Sequence, residues 1–365
     1  MRIAIFGTRG IPNYYGGFEQ FAQYLSEYLV KKGHEVWVYN GHDHPYKEPK
    51  WNGVNIIHAF NPEVWVGTPG QFIYDLNCVL DTRKRQFDII LQLGYTSSSV
   101  WNWLFPKSSF LLTNMDGLEW KRSKYSKPVQ RFLRYAEKLA TKFSDCLVAD
   151  SIGIKTYLKK KYNQDSVYIP YGAHVFESPD EVVLEKYQLY KNDYSILVAR
   201  FEPENNIETI LDGYLKSNVD KLLVVIGNDQ TKYGVYLKEK FTNDKIRFLG
   251  TIYDLQILNN LRYYSYVYFH GHSVGGTNPS LLEAMASWAF IFAHDNIFNR
   301  SILDNDAIYF DSSDSLSQLL NQFDKNEKSY EMVKSNIEKI KQVYSWDNVN
   351  YQYECLMKKS LTDLC

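Results

Sequence analysis

The sequence predicts an α/β protein of two doubly wound parallel-sheet domains that face one another. Three observations predict it. Short apolar runs of strand length alternate with stretches of helical period along most of the chain. Many of these runs end at a glycine or a polar loop, as buried parallel strands do in open α/β sheets. The plan is then repeated after a break at Pro170-Tyr171-Gly172-Ala173 and Ser178-Pro179. At 365 residues the chain is longer than one core usually organises, which agrees with two domains. Their expected limits are 1–172 and 173–343, with 344–365 an aromatic, amphipathic helix that packs back on the first domain.

Ile3–Phe6 is the first strand and ends at Gly7. The loop GTRGIPNYYGGFE follows, and Phe18, Phe21, Leu25 and Leu29 then recur at helical spacing. Lys31, Lys32 and Gly33 close that helix, and Glu35–Tyr39 completes a βαβ unit. The loop lacks GxGxxG, so it carries no dinucleotide fingerprint. Gly16-Gly17 before a helix suits a phosphate, with Arg9 as an added charge; a purely structural loop is the alternative. Val54–Ala59, Phe87–Leu93 and Phe110–Thr113 read as strands and Ile73–Leu80 as a helix. Asp116, in NMDGLEW just past a strand end, is a candidate functional carboxylate, while a turn-forming Asp-Gly is the ordinary explanation. Cys146–Ala149 is a strand, Asp150-Ser151 caps a helix over Ile152–Tyr162, and Val167–Ile169 ends the first half.

In the second half, Ser195–Ala199, Lys221–Ile226, Ile246–Leu249, Tyr266–Phe269, Ala289–Ala293 and Ile308–Phe310 read as strands. Helices start at Ile207 and span Leu255–Tyr263. Arg200 is placed to meet a phosphate as a forked donor, or else pairs on the surface with Glu202 or Glu204. The most informative stretch is His270–Ala286, HGHSVGGTNPSLLEAMA. Gly271, Gly275 and Gly276 let the backbone approach a ligand closely. Thr277 or Asn278 caps the helix that follows, and Pro279 suits its first turn. Strand, glycine loop and helix together present backbone N–H groups to an anion. Glu283, one turn into the helix, is placed to accept hydrogen bonds from a hydroxyl pair such as a ribose; a solvated surface Glu is the plain alternative.

Composition excludes several classes. A net charge of −1 gives no global argument for nucleic acid. Cys78, Cys146, Cys355 and Cys365 form no CxxC pair, which suits free thiols in a reducing compartment. Met1-Arg2 runs straight into a strand, and no apolar stretch approaches ~18 residues, so neither signal peptide nor membrane span is expected, and the expected location is cytoplasmic. His42, Asp43 and His44 lack a third ligand cluster, so no metal is expected there. Asp304-Asn305-Asp306 matches a DxD pattern but reads better as a polar turn. The cations Lys121, Arg122, Lys124, Lys127, Arg131, Arg134, Lys138 and Lys142, interrupted by the single acid Glu137, form either a solvated helix face or one that meets an anionic membrane or acceptor.

The motifs GTRGIPNYYGGFE, NMDGLEW, ARFEPENN and HGHSVGGTNPSLLEAM fall in an order that resembles the GT-B glycosyltransferases of glycosyltransferase family four, over nearly the full chain. More narrowly they resemble bacterial β-1,4-rhamnosyltransferases of capsule and cell-wall polysaccharide assembly. The resemblance implies two Rossmann-like domains with an interdomain cleft and a nucleotide-sugar donor, dTDP-rhamnose. It implies a saccharide or undecaprenyl-linked acceptor, transfer with retention, and no metal or other cofactor. Gly16, Gly17 and Arg200 would meet the donor diphosphate; Gly275, Gly276, Thr277 and Asn278 would line the donor; Glu283 would hold the ribose. Asp116 and Arg200 would be the catalytic pair. Three positions depart from the family pattern. Its usual first Glu is Gly275, its usual Lys is Asn205, and its frequent His is Asp116. A 6-deoxy sugar held differently fits the first change; for the second, Arg9 or Arg300 is the candidate replacement cation. A UDP- or GDP-sugar transferase, and a non-catalytic nucleotide-sugar-binding protein of an assembly complex, are the other readings.

Overall fold

The computed structural model describes residues 1–14 and 16–362. Tyr15 of the first glycine loop and Cys365 lie outside them. The chain divides into two compact units. Unit 1 holds Met1–Lys121, Tyr125–Tyr171 and the stretch from Trp346; unit 2 holds Arg122–Lys124 and Gly172–Ser345.

Unit 1 begins with β1 (Arg2–Phe6), α1 (Gly17–Lys31), β2 (Glu35–Gly41), β3 (Lys50–Trp51), β4 (Val54–Ala59), α2 (Glu63–Val66) and α3 (Pro69–Arg85). It continues through β5 (Ile89–Leu93), β6 (Phe110–Asn114), α4 (Lys127–Phe143), β7 (Cys146–Ala149), α5 (Ile152–Tyr162) and β8 (Val167–Tyr168). The strands form one sheet in the order β3-β4-β2-β1-β5-β6-β7-β8. Ile3 to Phe6 and Ile89 to Leu91 are sealed from solvent, which is why these strands are continuous apolar runs rather than alternating ones. Among the described residues only β3 runs antiparallel in this sheet, against β4. Asn52 and Gly53 both take positive φ between them, the geometry of a two-residue hairpin turn.

Unit 2 runs β9 (Tyr194–Val198), α6 (Ile207–Lys216), β10 (Leu222–Ile226), α7 (Lys232–Lys240), β11 (Ile246–Gly250), α8 (Leu255–Tyr263), β12 (Tyr268–His270) and α9 (Pro279–Ala286). It closes with β13 (Ile291–His294), α10 (Ile297–Leu303), β14 (Ile308–Phe310), α11 (Ser313–Gln322) and α12 (Glu327–Gln342). Its sheet is parallel throughout, in the order β11-β10-β9-β12-β13-β14. Leu197, Ile210, Val225, Phe269, Phe292 and Leu316 form its core. The strand expected at Tyr266–Phe269 is Tyr268–His270, although Tyr266 N already donates to the Tyr194 carbonyl of β9 at 2.7 Å.

The last helix, α13 (Trp346–Thr362), belongs to unit 1. Trp346 packs against Phe21 and Tyr24 of α1, and the buried Tyr353 hydroxyl accepts a 2.9 Å hydrogen bond from Asn114 Nδ2. Glu354 joins His34 at 2.9 Å. Among the described residues, no helix is long and apolar enough to cross a membrane.

Candidate functional site

In unit 2, β9 and β12 are parallel neighbours, with Phe269 opposite Leu197. The loops leaving their carboxyl ends are therefore side by side, where open α/β sheets hold ligands. They are tied together by Ser273, whose N and Oγ both donate to the Glu204 carbonyl at 3.1 and 2.7 Å. Asn206 Nδ2 donates to the Gly271 carbonyl at 2.7 Å. A Cβ at Gly271 would lie 2.0 Å from the Asn205 carbonyl, so the close approach this glycine permits is to the chain's own backbone. Gly275 has open space around it and φ of +131°, so its glycine serves conformation. Gly276 is half-buried and Thr277 buried. Asn278, not Thr277, caps α9, its Oδ1 accepting from Ser280 N at 2.9 Å, with Pro279 in the first turn.

Arg200 is exposed beside this loop. Glu202 and Glu204, the acids that a surface pair with Arg200 needs, face a different segment. Glu202 lies 3.8 Å from Arg122 and 3.6 Å from Lys124, and Glu204 accepts from Ser123 Oγ at 2.6 Å. Asn205 turns its amide inward to the Arg200 carbonyl at 2.7 Å.

Sequence reasoning passed over His270 and His272. Their two-residue spacing at a strand end was the available signal, since it places both on one face. Their rings stack 4.5 Å apart. Burial, with Arg200 and Arg122 nearby, pushes His272 down to about 3, and burial drives His270 well below its ordinary value. Both are neutral at physiological pH, and His272 Nδ1 is buried without a hydrogen-bond partner. Glu283 is not a solvated surface carboxylate. Its Oε2 takes a 2.7 Å hydrogen bond from Nη2 of Arg262, whose side chain is 1% exposed.

In unit 1, Gly16 and Gly17 lead into α1, and Gly16 is extended rather than left-handed. The buried Glu19 carboxylate already sits in this first turn, accepting from Arg9 N at 2.8 Å. Asp116, half-buried, takes φ of +50°, and its N–H donates to Asn114 Oδ1 at 2.9 Å, an Asx turn that fixes the loop after β6. Trp120, at the end of the same loop, donates to Glu137 at 3.2 Å. Glu137 is buried and also accepts from Tyr157 at 2.7 Å, Tyr162 at 2.5 Å and Lys161 at 3.0 Å. The one acid of the basic stretch is thus its internal anchor. Lys121, Lys124, Lys127, Arg131, Arg134, Lys138 and Lys142 are exposed, alongside Tyr135 and Phe143.

The two replacement cations are committed elsewhere. Arg9 pairs with Glu63 at 2.8 Å, and Arg300 makes a forked contact with Asp295 while lying 4.2 Å from the Tyr309 ring centre. Asp304 ends α10 with φ of +50°, and Asp306 pairs with Lys339 at 2.7 Å, so Asp304-Asn305-Asp306 is a polar turn. His42 accepts from Asn61 N at 2.9 Å, and His44 is buried among backbone carbonyls.

Two parallel-sheet units with polar loops at their strand ends define the class: the fold is that of the GT-B glycosyltransferases. The comparisons with known proteins refine this. Residues 183–340 match the family model Glycosyl transferases group 1. Residues 1–174 match a domain of unknown function, DUF1972. The chain is similar to sucrose-phosphate synthase from Thermosynechococcus elongatus, at 16% identity over 99% of both chains with a TM-score of 0.79. It is similar to Anabaena HepE, solved with UDP and glucose, at 15% identity over 98% of this chain and 100% of that one, TM-score 0.79. It is also similar to WaaG, a glycosyltransferase involved in lipopolysaccharide biosynthesis, at 12% identity over 97% and 99%, TM-score 0.72. A comparison with curated protein sequences gives no match.

Proposed function

We propose that this chain is a retaining glycosyltransferase that moves L-rhamnose from dTDP-rhamnose to a saccharide or undecaprenyl-linked saccharide in capsule, cell-wall or exopolysaccharide assembly. The observation that carries the transferase reading is the tied pair of loops on β9 and β12. It sets Arg200 beside a glycine loop and the start of α9, with Glu283 one turn in. A diphosphate over this loop would receive N–H donors from Gly276, Thr277 and Asn278 and the Arg200 fork. Glu283, held in place by Arg262, would accept from the nucleoside sugar. Gly16 and Gly17 are assigned to the donor diphosphate, Gly275 to the donor sugar and Asp116 to orienting the reacting groups. The bond from the anomeric carbon to the diphosphate breaks with its electron pair leaving on phosphate. The acceptor oxygen forms the new bond on the same face and gives its proton to the departing phosphate oxygen. The protein supplies charge stabilisation and positioning, and the reading assigns no metal or resident cofactor.

A second reading, a UDP-sugar donor, is favoured by HepE, which was solved with UDP-glucose. Thermal shift with dTDP, UDP and GDP side by side separates them. A ligand at ~100 Kd stabilises by roughly 2.7 kcal/mol. A shift with dTDP alone supports the rhamnosyl reading, and one with UDP or GDP alone discards it. Silence with all three favours a non-catalytic role. Arg200→Ala is expected to abolish transfer, and unchanged turnover would remove its assigned role. The exposed cations between Lys121 and Lys142 are proposed to meet an anionic membrane surface. Salt-sensitive binding to anionic vesicles tests that contact.

A further inference from the structure

The amino ends of β9, β10 and β12 lie at the far end of the second sheet from the ligand loops. A lysine joins the turns that meet there. Lys325, in the connection between α11 and α12, is half-buried. Its Nζ donates to Asn192 Oδ1 at 3.1 Å and to the Ser265 carbonyl at 3.2 Å. Both acceptors are neutral. Among the described residues no carboxylate pairs with Lys325; Asp193, next in the chain to Asn192, lies 3.7 Å from Lys221 instead. Lys221 Nζ and Lys325 Nζ stand 5.0 and 5.2 Å from the centre of one ring, that of Tyr266. One aromatic face thus gathers two cations, and like charge disfavours the second ammonium.

This amine is held in place. Phe323, two residues before it, stacks on Phe290 with ring centres 4.8 Å apart. Asn326, the next residue, caps α12 by accepting from Ser329 N at 3.2 Å. The backbone on both sides of Lys325 is therefore fixed. Burial, with the charge of Lys221, brings its ammonium down to about 8. At pH 7 about a tenth of such a group is free amine, against about one part in three thousand of an ordinary lysine. Tyr266 stays a neutral phenol, since burial and Asp324 raise it. The glycosyl-transfer reading uses none of these groups.

We propose that Lys325 is a carbon dioxide site, its amine forming a carbamate that pairs with Lys221. The Nζ lone pair bonds to the carbon of CO2, one C=O electron pair moves onto oxygen, and the proton displaced from nitrogen goes to water. The product carries one negative charge and keeps one N–H, which serves either Asn192 or Ser265. Two features select this reagent. CO2 is small enough to reach a half-buried amine. It also reverses the charge: two ammonium groups that repel become a carbamate beside an ammonium, whereas a neutral acyl group would only remove the repulsion. Lysines whose charge burial disfavours are the ones that act as nucleophiles.

The full chain is equilibrated with bicarbonate and CO2 at about pH 8, trapped with triethyloxonium, digested and read by mass spectrometry. Ethyl carbamate at Lys325 is expected to exceed that at the exposed Lys328 at least about tenfold. Lys221→Arg should keep the labelling near the parent level. Lys221→Glu should lower it about tenfold, because a carboxylate there favours the ammonium and repels the product. Circular dichroism checks that both variants are folded. As a second readout, bicarbonate should raise the melting temperature of the parent and not of Lys325→Arg, while inorganic phosphate at the same concentration raises neither. Lys325 labelled no more than Lys328, or labelling unchanged in folded Lys221→Glu, would overturn the proposal. An equal stabilisation by phosphate would also overturn it, leaving a plain anion site between two lysines.

Discussion

Glu283→Ala is the substitution that reports most directly on how α9 is held. Arg262 is buried to 1% and keeps Glu283 Oε2 at 2.7 Å, Asn259 Oδ1 at 3.0 Å and the Tyr268 ring centre at 6.0 Å. Removing the carboxylate leaves a guanidinium in the core with one neutral acceptor. Breaking a buried pair in this way costs about 3–5 kcal/mol, and the 20% exposure of Glu283 places this case near about 3 kcal/mol. Glu283→Gln keeps an acceptor oxygen and should cost about 1–2 kcal/mol. The double substitution Arg262→Met with Glu283→Leu removes both charges and should return stability close to the parent, since two well-packed apolar groups replace such pairs at little cost. Urea unfolding followed by circular dichroism gives the free energies. Calorimetry should show a unit 2 transition lowered by roughly 10 °C in Glu283→Ala. A Glu283→Ala protein within ~0.5 kcal/mol of the parent, or a double variant no more stable than the single, would refute the buried-pair argument. The nucleotide-induced thermal shift reads the role in donor binding that is proposed for the same carboxylate. It should stay reduced in the double variant although stability is restored. Recovery of both would show that Glu283 holds Arg262 and nothing else.

Two further outcomes follow from buried carboxylates. Burial pushes the Asp75 carboxyl up to about 7, against a 2.6 Å hydrogen bond from Ser97 that favours the ionised form. Its folded pKa is above its unfolded one, so stability is full below about pH 4 and is lost as pH rises towards 7, by up to about 4 kcal/mol. Asp75→Asn should flatten urea-unfolding stability between pH 5 and 7, and parallel pH profiles for parent and variant would count against it. Glu137→Leu strips the acceptor from Trp120, Tyr157, Tyr162 and Lys161 and should cost about 3 kcal/mol with a changed tryptophan emission, while Glu137→Gln should cost less. Emission and stability unchanged in Glu137→Leu would mean that the hub does not anchor the Asp116 loop.

Much of the fold was legible because burial on both faces writes strands as apolar runs. Val54–Ala59 and Cys146–Ala149 fall where the sequence places them, as does the helix Ile152–Tyr162 with Ser151 as its cap. The hairpin strand β3 was missed although Asn52-Gly53 advertises it. Helices α11 and α12 hid because their capping boxes use Ser315 and Ser329 where Glu or Gln is the familiar signal. The candidate loops were legible for a related reason, since glycine and polar residues gather where strands end. Their partners were not. Arg262 and Glu283 are brought together only by α8 packing on α9, and nothing in Arg122-Ser123-Lys124 foretells that it meets Glu202 and Glu204. The pairings of Arg9 and Arg300 likewise depend on elements far away in sequence or on rotamers, which no local pattern records.

The membership of α13 in unit 1 has a consequence for how the chain is made. The first unit is discontinuous, and residues 172–345, which is 174 residues, lie between Tyr171 and its last stretch. At about 5–20 residues per second a ribosome needs roughly ten to thirty-five seconds to deliver the missing helix. During that interval Phe21, Tyr171 and the Asn114 amide lack Trp346 and Tyr353, their neighbours in the finished unit. The second unit, all but three of whose residues follow in one run, can condense first. Vectorial synthesis therefore inverts the written order: the half translated later is the half free to mature earlier, and the nascent first sheet is the stage at which a chaperone has most to cover.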